Sequence, residues 1–464
     1  LSSQAVGRRS FLASLGCAGL GSSTLFSSLV HLGAASSASA QSLPPGDDYR
    51  ALVCILLAGG IDSYNLLVPT ESSEYAQYRS VRADLALEPQ QLLPLPAPNL
   101  AGRSFGLHPA APELQALYNQ GDLAFLANAG TLVEPVTLSS IDAGTARLPV
   151  GLYSHSDQIA QWQTALPADR SSHGWGGRIA DLLADVNRDQ RVSMSISLDG
   201  SNLFQAGLNS SAHSVETDPN AGPGGLFGYG NPDLALRSAA VDSLLNQDYK
   251  NLFEQAYARR MRNAIDADLF FRESLEGVSV ATPFPPTRLG RGLQMVARTI
   301  SARERLGVRR QTFFLIYGGW DHHDEVIANQ ERMLPVVSQA VGAFQQSLDE
   351  IGMTDQVVTF SISDFGRTLT SNGRGSDHGW GGNQFVVGGP VRGGRIFGQY
   401  PSLFAGAPLD TGRGRLIPTT SVDEYFAELG LWFGVDRSQL DLVLPNIARF
   451  YSPSSADPPV GFLL

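Results

Sequence analysis

Four short segments of the chain combine acids and histidines in spacings that suit metal chemistry. They are Gly59-Gly60-Ile61-Asp62-Ser63, Gly318-Gly319-Trp320-Asp321-His322-His323-Asp324, Ser363-Asp364-Phe365-Gly366-Arg367-Thr368 and Ser376-Asp377-His378-Gly379. Carboxylate oxygen and neutral imidazole nitrogen are ligands for zinc, manganese or iron. In an extended stretch, residues two apart lie on one side. Asp321 and His323 therefore can share one ion, while His322 points away. The competing role for this segment is a polar turn before a helix, with Asp324 as N-cap. Asp364 and Arg367 together suit a cation beside an oxyanion, Arg367 being the bidentate clamp for phosphate or sulfate. An ion pair within the loop is the alternative. Asp377 and His378 sit in a glycine-rich loop that lets side chains approach an ion. Asp62 is either a ligand or a helix N-cap.

A fifth segment, Ser154-His155-Ser156-Asp157, opens a helical pattern. A serine at a helix start meets the positive end of the helix dipole, which suits a nucleophile or a bound anion as well as a plain cap.

Most of these groups follow apolar runs of β type. Val53 to Leu57, Phe313 to Tyr317 and Val357 to Ile362 each run directly into one of them. In open α/β sheets, ligands bind beyond the carboxyl ends of the strands. Leu123 to Ala127, Val192 to Leu198 and residues 384–388 read as further strands. Residues 114–119, 154–165, 177–186, 234–262, 289–306, 325–351 and 420–433 read as helices, the last capped by Thr420 or Ser421. The alternation implies a three-layer α/β sandwich around a central, mostly parallel sheet. Between Asp199 and about Gly230 the chain turns rich in Gly, Asn and Pro, an insertion and potential lid. The inserted material extends over about 199–310.

At the start of the sequence, Arg8-Arg9-Ser10-Phe11-Leu12 leads into an uncharged Gly/Ala/Ser-rich stretch closing on Ala38-Ser39-Ala40. This has the form of a twin-arginine export signal, residues 1–40, with the mature domain occupying 41–464 in the periplasm or outside the cell. The glycines and serines and the cleavage motif argue against a lasting membrane span. The formal net charge of −11 and the lack of a basic run exclude nucleic acid as a partner. The expected partners are the twin-arginine translocase during export and a small or polymeric ester substrate. After cleavage Cys54 is the sole cysteine, which excludes an internal disulfide and a zinc ribbon. The absence of a strand-linked GxGxxG, a haem motif or a cysteine cluster argues against a redox enzyme.

The ordered set Gly59-Gly60-Ile61-Asp62, Gly106-Leu107-His108-Pro109, Ser154-His155, Gly319-Trp320-Asp321-His322-His323, Asp364-Phe365-Gly366-Arg367-Thr368 and Asp377-His378-Gly379 resembles a twin-arginine-exported bacterial family. That family is similar to a distant branch of the alkaline phosphatase and sulfatase superfamily. The resemblance implies an alkaline-phosphatase-like domain with two adjacent metal sites and a nucleophile between them. Asp321, His323 and His378 form one site in this scheme; Asp62 and Asp364, with Asp377 or His155 in support, form the other. Ser154 is the matched nucleophile and Ser156 the second choice. Divalent ions, zinc first and manganese or calcium next, activate the serine. Phe365 stands where superfamily hydrolases usually have a ligand histidine, so the second site lacks one donor. The Cys/Ser-x-Pro-x-Arg motif of formylglycine sulfatases is absent. The resulting expectation is an exported metal-dependent hydrolase of phosphate or sulfate esters. Its rival is a non-catalytic binding or assembly protein on the same fold.

Overall fold

The computed structural model describes residues 49–217, 229–230 and 232–463. The export signal and the middle of the Gly/Asn/Pro-rich insertion lie outside the described residues. Nine strands form one sheet: β1 (Arg50–Leu57), β2 (Leu123–Gly130), β3 (Ser195–Ser197), β4 (His213–Ser214), β5 (Arg310–Ile316), β6 (Val357–Ser363), β7 (Gly382–Val387), β8 (Arg395–Phe397) and β9 (Thr420–Ser421). Their spatial order is β8-β2-β7-β6-β1-β5-β3-β4, with β9 also against β2. β1 lies parallel between β5 and β6, in registers that pair Val53 with Phe313 and with Thr359. Only β7 is antiparallel to its neighbours, β2 and β6.

The sequence of β1 shows why it is central. Every residue from Ala51 to Leu57 is apolar and buried, the pattern of a strand covered on both faces. Alternate side chains feed two separate cores. Ala51, Val53, Ile55 and Leu57 face a layer containing helices α1 (Pro112–Gln120), α6 (Arg288–Ser301) and α7 (Val326–Glu350). Leu52, Cys54 and Leu56 face the layer of α2 (His155–Thr164), α3 (Trp175–Leu182) and α8 (Val422–Phe433). This is the expected three-layer α/β sandwich. Cys54 is fully buried, and burial pushes its thiol up, so it is an inert packing residue.

Local signals set the helix ends. Pro112 opens α1 and Gly121, at φ +92°, closes it in the left-handed conformation. Ser421 and Glu424 form a reciprocal capping box on α8. Glu325, rather than Asp324, occupies the N-cap of α7, without a side-chain bond. The expected helix over 234–262 is divided into α4 (Ala235–Leu245) and α5 (Leu252–Ser274). Residues 199–310 thus hold β4 and α4 to α6, and α6 contributes Leu293, Val296 and Ala297 to the core. Among the described residues, no helix is long and apolar enough to cross a membrane.

Candidate metal centre

The loops after β1, β5 and β6 meet at one end of the sheet. Gly59 has φ +119°, and a Cβ there would lie 2.5 Å from the Asp321 backbone nitrogen. Only glycine permits that approach. The Gly59 N–H donates to Asp364 Oδ1 at 2.9 Å, and Trp320 N–H donates to the Ala58 carbonyl at 3.1 Å. The loops are therefore tied together by backbone bonds before any side chain reaches out.

Three donors converge above them. His323 Nε2 lies 3.0 Å from His378 Nε2 and 3.1 Å from Asp321 Oδ1, and His378 Nε2 lies 3.3 Å from the same oxygen. A tetrahedral zinc ion with bonds of about 2.1 Å has ligands roughly 3.4 Å apart, so this near-equilateral triangle suits one face of such a site. The other oxygen, Asp321 Oδ2, faces His155 Nε2 at 3.4 Å. His155, Asp321 and His378 also satisfy the mutual distances of a three-ligand cluster.

The opposite nitrogen of every imidazole is held by an acceptor. His155 Nδ1 donates to Asp364 Oδ2 at 2.6 Å, His323 Nδ1 to Asp377 Oδ1 at 3.0 Å, and His378 Nδ1 to the Tyr153 carbonyl at 2.8 Å. In its neutral form each ring is then the tautomer whose Nε2 carries the lone pair. Two such lone pairs 3.0 Å apart beside a carboxylate repel one another unless a cation lies among them.

The electrostatics separate the histidines. The hydrogen bond to Asp364 raises the pKa of His155 against a smaller opposing effect of burial. Burial lowers that of His378, although the ring stands only 4.3 Å, centroid to centroid, from His155. Asp321 and Asp377 are held below the usual carboxylate range. Burial opposes this in both; Arg367 outweighs it at Asp321, and bonds from Asn372, His323 and Arg413 do so at Asp377.

Several expected roles change. Asp62 is buried against Arg82 in an ion pair, and Arg82 also bonds Asn65 Oδ1 and the Thr368 and Leu369 carbonyls. Arg82 meets Asp62 Oδ2, Asp62 Oδ1 has no hydrogen-bond partner, and the residue stands outside the converging set. Asp364 and Asp377 stand one step out, orienting His155 and His323. Arg367 is no free oxyanion clamp. It is buried, and its donors go to the Gly60, Ser376, Gly59 and Trp320 carbonyls and to Asp321 Oδ1. Its ion pair within the loops is with Asp321, not with Asp364. Ser154 is the N-cap residue of α2 and makes no side-chain cap bond. Its hydroxyl lies 3.2 Å from Ser156 Oγ. No hydrogen bond among the described residues joins Ser154 or Ser156 to the histidine cluster. Phe365 packs on the rings of both His155 and His378, at 4.9 and 4.6 Å. An apolar ring thus lines the site between the two imidazoles. His322 is buried beside Trp320, their ring centroids 5.9 Å apart. Arg82 and Tyr153 were invisible as site residues: the first lies within an ordinary amphipathic helix, and the second acts through its backbone.

A family model described as a protein of unknown function (DUF1501) matches residues 243–437. The match includes Asp321, His323, Asp364, Asp377 and His378 but neither Asp62 nor His155. Comparison with curated proteins gives no match. Among solved structures, the C-terminal periplasmic domain of EcEptC from Escherichia coli in complex with Zn aligns at 10% identity and TM-score 0.34, over 91% of this chain and 96% of that one. Ps i-CgsB bound to k-i-k-neocarrahexaose aligns at 12% and 0.32, over 88% and 78%. The PsFucS1 sulfatase from Pseudoalteromonas sp. aligns at 9% and 0.34, over 87% and 72%. Alignments this loose carry no argument about the site, whose reading rests on its own geometry.

Proposed function

We propose that this chain is an exported hydrolase of phosphate or sulfate esters that uses one divalent cation rather than two. The observation that carries the reading is the triangle of His323 Nε2, His378 Nε2 and Asp321 Oδ1, each ring locked from behind. Two imidazoles and a carboxylate favour zinc; manganese fits less well, and calcium prefers an all-oxygen set. Three protein ligands leave a position open for substrate. A divalent cation there would polarise a phosphoryl or sulfuryl oxygen.

The protein groups divide the remaining work. His378 stays neutral and His155 binds a proton more readily, the separation expected when one imidazole is a ligand and the other an acid. His155, aimed by Asp364, protonates the leaving oxygen. The attacking group is water, because the Ser154 hydroxyl pairs with Ser156 and no hydrogen bond among the described residues joins it to the histidine cluster. Arg367 holds Asp321 in place. Residues 1–40 are the leader and 41–464 the exported domain in this reading.

The test pairs elemental analysis of the purified protein with turnover of nitrophenyl phosphate and nitrophenyl sulfate. One ion per chain, lost in Asp321→Ala and His378→Ala but kept in His155→Ala and Ser154→Ala, is expected. Turnover should survive only in Ser154→Ala. A second reading, a metal-holding binding or assembly protein without catalysis, is favoured by the complete internal use of Arg367. It predicts the same ion content with no turnover in any form.

A further inference from the structure

The helices inserted between 199 and 310 use their apolar residues in opposite ways. α6 sends Leu293, Val296 and Ala297 into the core, whereas the 11-residue α4 has no buried residue. Polar groups tie α4 to α5: Arg262 pairs with Asp242, and Tyr229 Oη donates to the same carboxylate at 2.7 Å. The large apolar side chains stand in solvent instead. Leu234, Leu236, Leu244, Leu252, Phe253 and Tyr257 are all exposed, Leu236 by 90% and Phe253 by 86%. The other exposed large apolar side chains among the described residues are scattered from Leu148 to Leu442. Exposure follows the helical period: Leu236, Ala240 and Leu244 along α4, and Phe253, Tyr257, Arg260 and Ala264 along α5. A helix this short is marginal in water by itself, and an apolar stripe normally packs on something. Apolar residues gathered on one exposed element mark an interaction surface.

We infer that this face joins two copies of the chain, each contributing α4 and the first turns of α5 to a two-fold contact. Area and charge choose a second copy as the occupant. The six side chains expose about 600 Å² of apolar surface. A stable interface buries about 800 Å² per partner, somewhat over half of it apolar. Over 232–262 there are five Arg and Lys to four Asp and Glu, near balance in a chain whose formal net charge is −11. Two copies of an acidic protein meet with least repulsion where their own charges cancel. The same balance makes an anionic lipid surface the poorer occupant. It repels the rest of the chain, and a helix lying on it needs a polar face rich in Lys and Arg. The inference goes beyond the proposed hydrolysis and does not depend on it.

Sedimentation equilibrium of the purified protein over a micromolar concentration series tests this. A species of twice the chain mass is expected, dissociating in the micromolar range. Leu252→Glu/Phe253→Glu and, separately, Leu236→Glu should each weaken it at least about tenfold. Phe404→Glu, exposed outside this face, should leave it intact. Unchanged circular dichroism and a cooperative thermal transition establish that the variants fold. A monomer at every concentration, a dimer indifferent to both α4 and α5 variants, or equal loss in Phe404→Glu would each overturn the inference. So would a monomer that floats with phosphatidylglycerol vesicles and is released by Phe253→Glu. Metal content and turnover of the same samples read out the proposed function separately.

Discussion

His155 and Asp364 face each other across 209 positions of sequence, Nδ1 to Oδ2 at 2.6 Å, and the carboxylate is fully buried. A buried anion bonded to one imidazole nitrogen does two things: it aims the ring and raises its proton affinity. Asp364→Asn keeps the shape and the bond from Gly59 but removes the charge. Turnover should fall by about 10²–10⁴, with the ion still bound. Asp377→Asn, behind His323, should instead weaken metal affinity by about 10–100-fold. Chelator competition and steady-state rates on both variants distinguish these effects.

The ion pair of Asp62 and Arg82 predicts a stability effect without a metal effect. Removing one partner of a buried pair costs about 3–5 kcal/mol, and Arg82 also satisfies two carbonyls. Arg82→Ala should lower unfolding free energy by at least about 3 kcal/mol in urea. Asp62→Asn should destabilise too, yet retain the full complement of metal. Loss of an ion in Asp62→Asn would return Asp62 to the ligand set.

Tyr153 holds its carbonyl on His378 by a backbone at φ +74°, in the left-handed region that costs a tyrosine about 1 kcal/mol or more. Tyr153→Gly should keep metal content and relieve that strain, while losing the stacking of the ring on Arg415. Tyr153→Pro, locked near −65°, should release the carbonyl and lower metal affinity. Elemental analysis of the two variants separates a backbone role from a side-chain role.

His108 makes stability depend on acid. It is fully buried; its Nδ1 accepts from Ala110 N–H, and burial lowers its pKa to about 4. The unfolded chain takes up this proton near pH 6.5 and the folded chain does so only near 4, so stability falls as pH drops through that interval. The loss attributable to this residue is on the order of 3 kcal/mol. His108→Asn, which can still accept from Ala110, should show a shallower decline across the same range in urea titrations.

The β1, β5 and β6 segments were legible because doubly covered strands need unbroken apolar runs, and the loops after them carried the acids and histidines. Asp321 and His323 were expected to be candidates from residue type and strand position, and His378 from its glycine-rich loop. The assignments that changed share a cause. Asp62, Asp364, Asp377 and Arg367 all have the chemistry of direct contact, and sequence spacing does not reveal which partner neutralises each. Arg82, on a separate helix, decides the matter for Asp62. Four backbone carbonyls decide it for Arg367. The division of the helix at 246–251 was hidden because both halves keep helical composition.

The loop ties around the metal centre also order events in time. His378 is braced by Arg415, whose Nε donates to its carbonyl at 3.0 Å, and Gly381 N–H bonds the Leu416 carbonyl at 2.9 Å. A growing chain therefore lacks the finished pocket until synthesis has passed residue 416. The nearby anchors Gly59 and Tyr153 emerge hundreds of residues sooner. Contacts this distant form late in folding. Under the proposed reading, nascent fragments ending before residue 416 should be blind to the cation, and ion capture would mark the completed molecule.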